Sequence, residues 1–241
     1  MNTLILFFSY AGDEAVLRLS LSRLLEVYPQ ARIMVADDAA APMTGKQPWP
    51  AGVQVFRTRY DRGGTGKGLP AVWGELRTMA EAMEAARCDY CIKLDPDVWV
   101  SDLRPLLPGG TVSTGEPEPD FVGCEGGRAL LPMGCAYRVS KWAVKWCLDY
   151  LSRRKDWPQG AYAEALTIYH ILALSRLPLY LLPSHLGYLE GFALSPSPQH
   201  FVDCDLAGLV HCGEPYPEGG QLIRATRELT LTRMKLLAAS E

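Results

Sequence analysis

Two carboxylates stand one residue apart near the middle of the chain, at Asp95 and Asp97. They follow residues 90–94, an apolar run rich in residues that favour strands. Pro96 lies between them and prevents the run from continuing as a central strand. Carboxylates held this close repel each other, and the hard cations Mg²⁺ and Mn²⁺ prefer such oxygen ligands. The pair therefore predicts a divalent metal site, with a strand-ending turn as the alternative.

A second acidic pair, Asp37 and Asp38, ends the apolar run 31–36. Open α/β sheets bind their ligands at the carboxyl ends of strands, where a carboxylate accepts hydrogen bonds from a ribose hydroxyl or a base N–H. We therefore expect Asp37 or Asp38 to contact a nucleoside. A helix cap or a turn is the alternative interpretation of this pair.

Residues 62–68 form a basic, glycine-rich segment, Arg-Gly-Gly-Thr-Gly-Lys-Gly. Its glycines let backbone N–H groups approach phosphate oxygens, and Arg62 and Lys67 add positive charge. The segment is not a Walker A motif, because Arg62 stands in place of the first glycine and Gly68 in place of the Ser or Thr that binds magnesium. We predict a mobile, positively charged lid, in which Arg62 and Lys67 are the candidates to meet phosphate oxygens.

One histidine, His211, lies in the short apolar segment 209–213, far in sequence from Asp95. An imidazole completes a carboxylate site for Mn²⁺ better than for Mg²⁺. A lone histidine is more often a core or surface residue than a ligand, so both interpretations stay open for His211 at this point.

Four apolar runs have the composition of strands: residues 3–9, 31–36, 53–58 and 90–94. Apolar side chains recur at helical spacing between the first two runs, and again before the last. The order of strand, helix, strand, loop, strand, helix and strand predicts an α/β fold with a mostly parallel sheet and right-handed crossovers.

The second half of the chain is less regular. Further elements are predicted there as strands at 121–124 and 179–182, and as helices at 140–153, 162–175 and from 221 onward. No internal repeat and no domain break is visible along the sequence, so we expect a single domain.

Composition narrows the class of protein. The chain has 241 residues, of which 48% are hydrophobic and 21% charged, as in ordinary globular proteins. A net charge of −3 argues against nucleic-acid binding. No apolar run approaches the roughly 20 residues of a membrane span, so no transmembrane segment is expected. A secretory signal would need a basic residue near its start, and the first basic residue is Arg18, so no such signal is expected either. Seven cysteines, an odd number, predict reduced thiols and a cytoplasmic location.

Together these residues resemble a nucleotide-sugar glycosyltransferase of the GT-A fold, of the D-x-D type and similar to family 2. The resemblance rests on Val35-Ala-Asp-Asp-Ala39, on Asp89-Tyr-Cys-Ile-Lys-Leu-Asp-Pro-Asp97 with the helix before it, and on Val210-His211. It implies a single-domain, GT-A-like α/β fold with a Rossmann-like sheet flanked by helices. The expected parts are a nucleotide-sugar-binding half at 1–100, an acceptor-side half at 101–220 and a C-terminal helix at 221–241.

The resemblance also implies roles for individual residues. In that family the D-x-D aspartates, here Asp95 and Asp97, hold a divalent cation on the diphosphate of a UDP- or GDP-sugar, and a late histidine, here His211, adds a ligand. Inverting members place an acidic catalytic base at the start of a helix, which here is Glu164. Members usually carry an acidic pair there, so the stereochemical outcome stays open, and Glu190 is the second candidate. Either glutamate is alternatively a first-turn residue that complements a helix dipole.

The resemblance thus predicts a hexosyltransferase-type enzyme whose acceptor, a glycan, a lipid or a small molecule, is unknown. One rival is a sugar-1-phosphate nucleotidyltransferase, whose glycine-rich basic loop follows its first strand. Here Ser9-Tyr-Ala-Gly-Asp13 has one glycine and no basic residue, which argues against it. A second rival is a non-catalytic subunit that binds a nucleotide sugar.

Overall fold

A mixed seven-stranded sheet forms the centre of the fold in a computed structural model, which describes residues 2–59, 69–110, 117–126, 131–153, 164–182, 209–212, 215–218, 221–224 and 226–240. The strands in chain order are β1 (Thr3–Ser9), β2 (Ile33–Asp37), β3 (Val53–Arg57), β4 (Tyr90–Leu94), β5 (Val98–Val100), β6 (Phe121–Gly126), β7 (Leu131–Ser140), β8 (Leu179–Leu182), β9 (Leu209–His211), β10 (Pro215–Glu218) and β11 (Gln221–Arg224). The helices are α1 (Glu14–Val27), α2 (Leu69–Ala85), α3 (Lys141–Ser152), α4 (Glu164–Leu174) and α5 (Arg227–Ser240).

The sheet runs in the order β3-β2-β1-β4-β7-β6-β8. Strands β3, β2, β1 and β4 are parallel, β7 pairs antiparallel with both β4 and β6, and β8 is parallel to β6. The expected α/β class with a mostly parallel sheet is confirmed. Because β2, β1 and β4 are neighbours and parallel, their carboxyl ends meet at one edge, where both acidic pairs were predicted to act.

Helices cover both faces of this sheet, which explains the continuous apolar run of β1. Leu4, Leu6 and Phe8 belong to one buried cluster with side chains of α2, α3 and α4. Ile5 and Phe7 belong to a second cluster with side chains of α1. Alternate residues of the strand therefore enter opposite cores, and each fully buried side chain of this size contributes about 1.5–3 kcal/mol.

The C-terminal helix packs away from the main sheet faces, against α1. Met234 and Leu237 of α5 form a small buried cluster with Val16, Trp99 and Cys212. Trp99 belongs to β5, which pairs antiparallel with β9. This cluster therefore holds α5 beside the segment that follows Asp95 and Asp97.

The structure corrects two sequence-based expectations. The C-terminal helix begins at Arg227 rather than at 221, because Gln221–Arg224 pairs as a strand with Pro215–Glu218. The long strand Leu131–Ser140 was not predicted. Its run contains Pro132 and Gly134, which weaken the strand pattern, and it forms because β4 and β6 pair with its two edges.

The cysteine side chains that the structure describes are free and buried. The C-x-x-C residues Cys88 and Cys91 are free and buried, and burial raises the pKa of the Cys91 thiol well above its usual range. These two thiols therefore pack in the core, since a reactive cysteine needs a lowered pKa. None of the helices described has the length and hydropathy that a bilayer span requires.

The start of α3 offers a test of local stability. Ser140 Oγ accepts a hydrogen bond from the Ala143 N–H at 3.0 Å and donates one to Asp120 Oδ1 at 2.6 Å. We expect Ser140→Ala to lower the free energy of unfolding by about 1 kcal/mol, measured by urea denaturation. Ser22→Ala is the matched control, because Ser22 is exposed inside α1 and, among the described residues, its hydroxyl donates to a carbonyl of its own helix. Equal losses in the two variants would contradict the capping role.

Candidate functional site

Asp95 and Asp97 lie at the carboxyl edge of the sheet, in the three-residue connection between β4 and β5. The turn is closed by a hydrogen bond from the Val98 N–H to the Asp95 carbonyl at 3.1 Å. The Asp95 N–H donates to the Cys135 carbonyl at 2.7 Å, and the Cys212 N–H donates to the Asp97 carbonyl at 2.9 Å. Both aspartates are thus fixed through their backbones to strands or turns from later in the chain.

Asp95 is paired with a lysine near the end of β4. Lys93 Nζ lies 2.6 Å from Asp95 Oδ1 and also donates to the Gly134 carbonyl. The lysine side chain is only 2% exposed, whereas that of Asp95 is 22% exposed. Residues two apart on an extended strand share a face, which brings the two side chains together. The Asp95 carboxylate therefore reaches solvent while an internal cation holds it.

Asp97 is paired with an arginine from the other end of the chain. Arg227 Nη1 lies 3.4 Å from Asp97 Oδ2, and the same guanidinium forms an ion pair with Asp13 Oδ1. Its Nη2 donates to the Tyr10 hydroxyl at 2.8 Å. Asp13 and Asp97 are each 2% exposed. The first residue of α5 therefore bridges two buried carboxylates of the β1 and β4 loops.

Asp13, Asp95 and Asp97 form one electrostatic unit. The pKa of Asp13 is raised to about 6, chiefly by burial and also by the negative charges of Asp97 and Asp95, while Arg227 and the Tyr10 N–H oppose the shift. We call these three residues the acidic cluster. Within the described residues, Lys93 and Arg227 supply two positive charges against the three carboxylates.

The acidic pair at the end of β2, Asp37 and Asp38, is bonded to neighbouring parts of the protein. Asp37 Oδ2 lies 2.7 Å from Arg57 Nη1, and its Oδ1 accepts from the Met43 N–H at 3.1 Å. Asp38 Oδ1 accepts from the Ala40 N–H at 2.8 Å in a tight turn. Both aspartates are buried. These bonds give the pair a structural role in shaping the loop after β2, and the predicted nucleoside contact stays a prediction.

The structure brings the backbone of His211 to the acidic cluster. In the antiparallel pair of β5 and β9, His211 lies opposite Val98, the residue after Asp97. The imidazole lies outside the described side chains, so its metal contact stays a prediction. Glu164 is the first residue of α4, with its side chain likewise outside that set. Arg62, Lys67 and Glu190 lie outside the described residues altogether.

The acidic cluster suits a divalent cation in its chemistry. Its donors are hard carboxylate oxygens, one of them reaching solvent, and β9 brings His211 to the same turn. Among the side chains that the structure describes, no three potential ligands already form a complete metal site. Repulsion between Asp95 and Asp97 does not by itself demand a metal, because Lys93 and Arg227 already offset it.

Sequence reasoning missed three members of this site: Asp13, Lys93 and Arg227. Lys93 had a signal, because it is the one charged residue in the apolar strand Tyr90–Leu94, and a buried charge needs a partner. Asp13 follows β1 closely, as an edge residue of the sheet does. No signal in the sequence pointed to Arg227, because 130 residues separate it from its partner Asp97.

The ion pair of Lys93 with Asp95 predicts a specific stability loss. Lys93→Met removes the internal cation from Asp95, and we expect the free energy of unfolding to fall by about 2 kcal/mol, since Asp95 is partly solvated. Lys141→Met is the matched control, because Lys141 pairs with Glu84 on the surface, where screening leaves little stabilisation. Urea denaturation of both variants measures the difference. A Lys93→Met variant as stable as the control would contradict the account.

Comparison with known proteins establishes the fold. No protein-family model matches the sequence, and no curated protein matches it at a significant level. A glycosyltransferase involved in glycosylation of the major capsid of PBCV-1 is 15% identical over 98% of this chain and 100% of its own, with a TM-score of 0.58. An active-site mutant of LgtC is 17% identical over 98% of this chain and 95% of its own, with a TM-score of 0.56. A galactosyltransferase LgtC in complex with donor and acceptor sugar analogues is 17% identical over 74% of this chain and 72% of its own, with a TM-score of 0.49. The chain has the GT-A fold of the first two of these glycosyltransferases, as the resemblance implied.

Proposed function

We propose that this protein is a metal-dependent glycosyltransferase, which moves a sugar from a nucleoside-diphosphate sugar to an acceptor. One observation carries the proposal: Asp95 and Asp97 lie at the carboxyl end of a central strand of a GT-A fold, with Asp13 and the backbone of His211 beside them. Ligand sites of open α/β sheets form at this edge. The similarity of fold to glycosyltransferases supports sugar transfer as the reaction.

Five residues would form the donor side of the site. Asp95 and Asp97 would hold the cation, Mn²⁺ or Mg²⁺, with His211 as a further ligand, and Asp95 would also face the donor. When bound, the cation would neutralise charge that builds on the leaving diphosphate. Arg62 and Lys67 would add positive charge to the same oxygens.

The nucleoside and acceptor sides rest on fewer observations. Asp37 and Asp38 would shape the pocket for the nucleoside of a UDP- or GDP-sugar, since their bonds order the loop after β2. Glu164, at the start of α4, would take the proton from the acceptor hydroxyl in an inverting transfer. Glu190 is the reserve candidate for that base.

A donor panel tests the proposal directly. The protein is incubated with UDP- and GDP-sugars and Mn²⁺, and free UDP or GDP is measured, since transfer or slow hydrolysis releases it. We expect release with one donor class, and loss of release in EDTA. Release of pyrophosphate with sugar 1-phosphate and nucleoside triphosphate would instead favour a nucleotidyltransferase. Donor binding without any release would favour a non-catalytic subunit.

Asp97→Ala tests the metal assignment within that panel. The variant should lose the rise in melting temperature that UDP or GDP produces in Mn²⁺, because the cation on the diphosphate loses a carboxylate ligand. Asp149→Ala is the control, since Asp149 is an exposed partner of Arg153 on α3. Equal nucleotide-dependent shifts in Asp97→Ala and wild type would show that Asp97 does not hold the cation.

Glu164→Gln tests the catalytic base. The change keeps the shape of the side chain and removes the proton acceptor, so transfer should fall by roughly 10²–10⁴-fold while donor binding stays nearly unchanged. Glu228→Gln is the matched control, because Glu228 also lies in the first turn of a helix. Near-normal transfer by Glu164→Gln would show that Glu164 is a helix-end residue and not the catalytic base. A joint loss of donor binding and stability would show the same.

A further inference from the structure

Arg227 is a charged residue at the acidic cluster that the proposed chemistry has not used. Its guanidinium contacts Asp13, Asp97 and the Tyr10 hydroxyl at once. The two carboxylates are buried, but the arginine side chain remains 37% exposed. Arg227 therefore brings a full positive charge to Asp97 Oδ2, an oxygen of a carboxylate that the proposed function assigns to a divalent cation.

We propose that Arg227 is the resident counter-ion of Asp97 in the ligand-free protein, and that a divalent cation arriving with the donor displaces it. This inference rests on the proposed function. A cation of charge +2 at Asp97 and the guanidinium repel each other and compete for the same carboxylate. Arg227 thereby weakens the binding of free metal and makes occupancy of the site depend on the diphosphate, whose negative charge adds to that of the carboxylates.

The surrounding contacts let Arg227 leave Asp97 without moving its helix. Apolar packing of Met234 and Leu237 holds α5, and Arg233 Nη1 donates to the Cys212 carbonyl at 2.7 Å. None of these contacts involves a carboxylate. The guanidinium also keeps Asp13 and the Tyr10 hydroxyl as partners. A side-chain rotation is therefore enough to release Asp97 Oδ2 from a contact that is long, at 3.4 Å.

Binding of Mn²⁺ in the absence of nucleotide tests the inference, with free Mn²⁺ followed by electron paramagnetic resonance. We expect Arg227→Met to bind Mn²⁺ on the order of tenfold more tightly than wild type, because one repelling charge is gone. Arg227→Lys keeps the charge and should bind almost as weakly as wild type. Arg104→Met is the matched control, since it removes an arginine from a surface ion pair with Asp102, and it should leave the affinity unchanged.

Two double variants keep the test decisive. Arg227→Met leaves Asp13 buried without its ion-pair partner, so if this variant fails to fold, Asp13→Asn/Arg227→Met is compared with Asp13→Asn, and a similar gain in affinity is expected. Adding Asp97→Asn to Arg227→Met should abolish the gain, because the released carboxylate is gone. A folded Arg227→Met that binds Mn²⁺ no more tightly than wild type would overturn the inference.

The same experiment separates this inference from the proposed function. If Asp97 contributes to Mn²⁺ binding in wild type but Arg227→Met changes nothing, the counter-ion inference fails and the metal assignment stands. If no variant binds Mn²⁺ through Asp97, with or without UDP or GDP, the metal assignment itself fails and the inference falls with it.

Discussion

Balance of charge at the carboxyl edge of the sheet is the constraint on which the site depends. Three carboxylates, Asp13, Asp95 and Asp97, lie within electrostatic range of one another, and two of them are buried. A buried charge without a partner costs several kcal/mol. Lys93 and Arg227 supply the compensating charge, so most of this negative charge is offset within the protein.

The two positively charged side chains, Lys93 and Arg227, reach the acidic cluster in different ways. Lys93 reaches Asp95 along a single strand, which is a local consequence of extended backbone geometry. Arg227 reaches Asp97 only because α5 packs against α1, and because β9 pairs with β5. The acidic cluster and its two cations therefore come from the first hundred residues and the last fifteen, and they assemble only when both parts of the chain are folded together.

The sequence predicted those features that depend on local pattern. The bounds of Thr3–Ser9 and Tyr90–Leu94 follow from apolar runs covered on both faces. Sequence position could not separate Asp37 from Asp97, because both lie where strands end at the same edge, and only the structure shows that Arg57 and the Met43 N–H bind Asp37. The contact of Arg227 was unpredictable for a related reason, since tertiary packing alone decides a pairing over 130 residues.

The central claim is that Asp95 and Asp97 receive a divalent cation together with a nucleoside diphosphate. Crystals of the protein grown with UDP or GDP and Mn²⁺ test it most directly, because manganese is located by its anomalous scattering. The account predicts one manganese peak at coordination distance from both carboxylates and from the diphosphate, with Arg227 turned away from Asp97. A bound nucleotide with no manganese at either aspartate would contradict it.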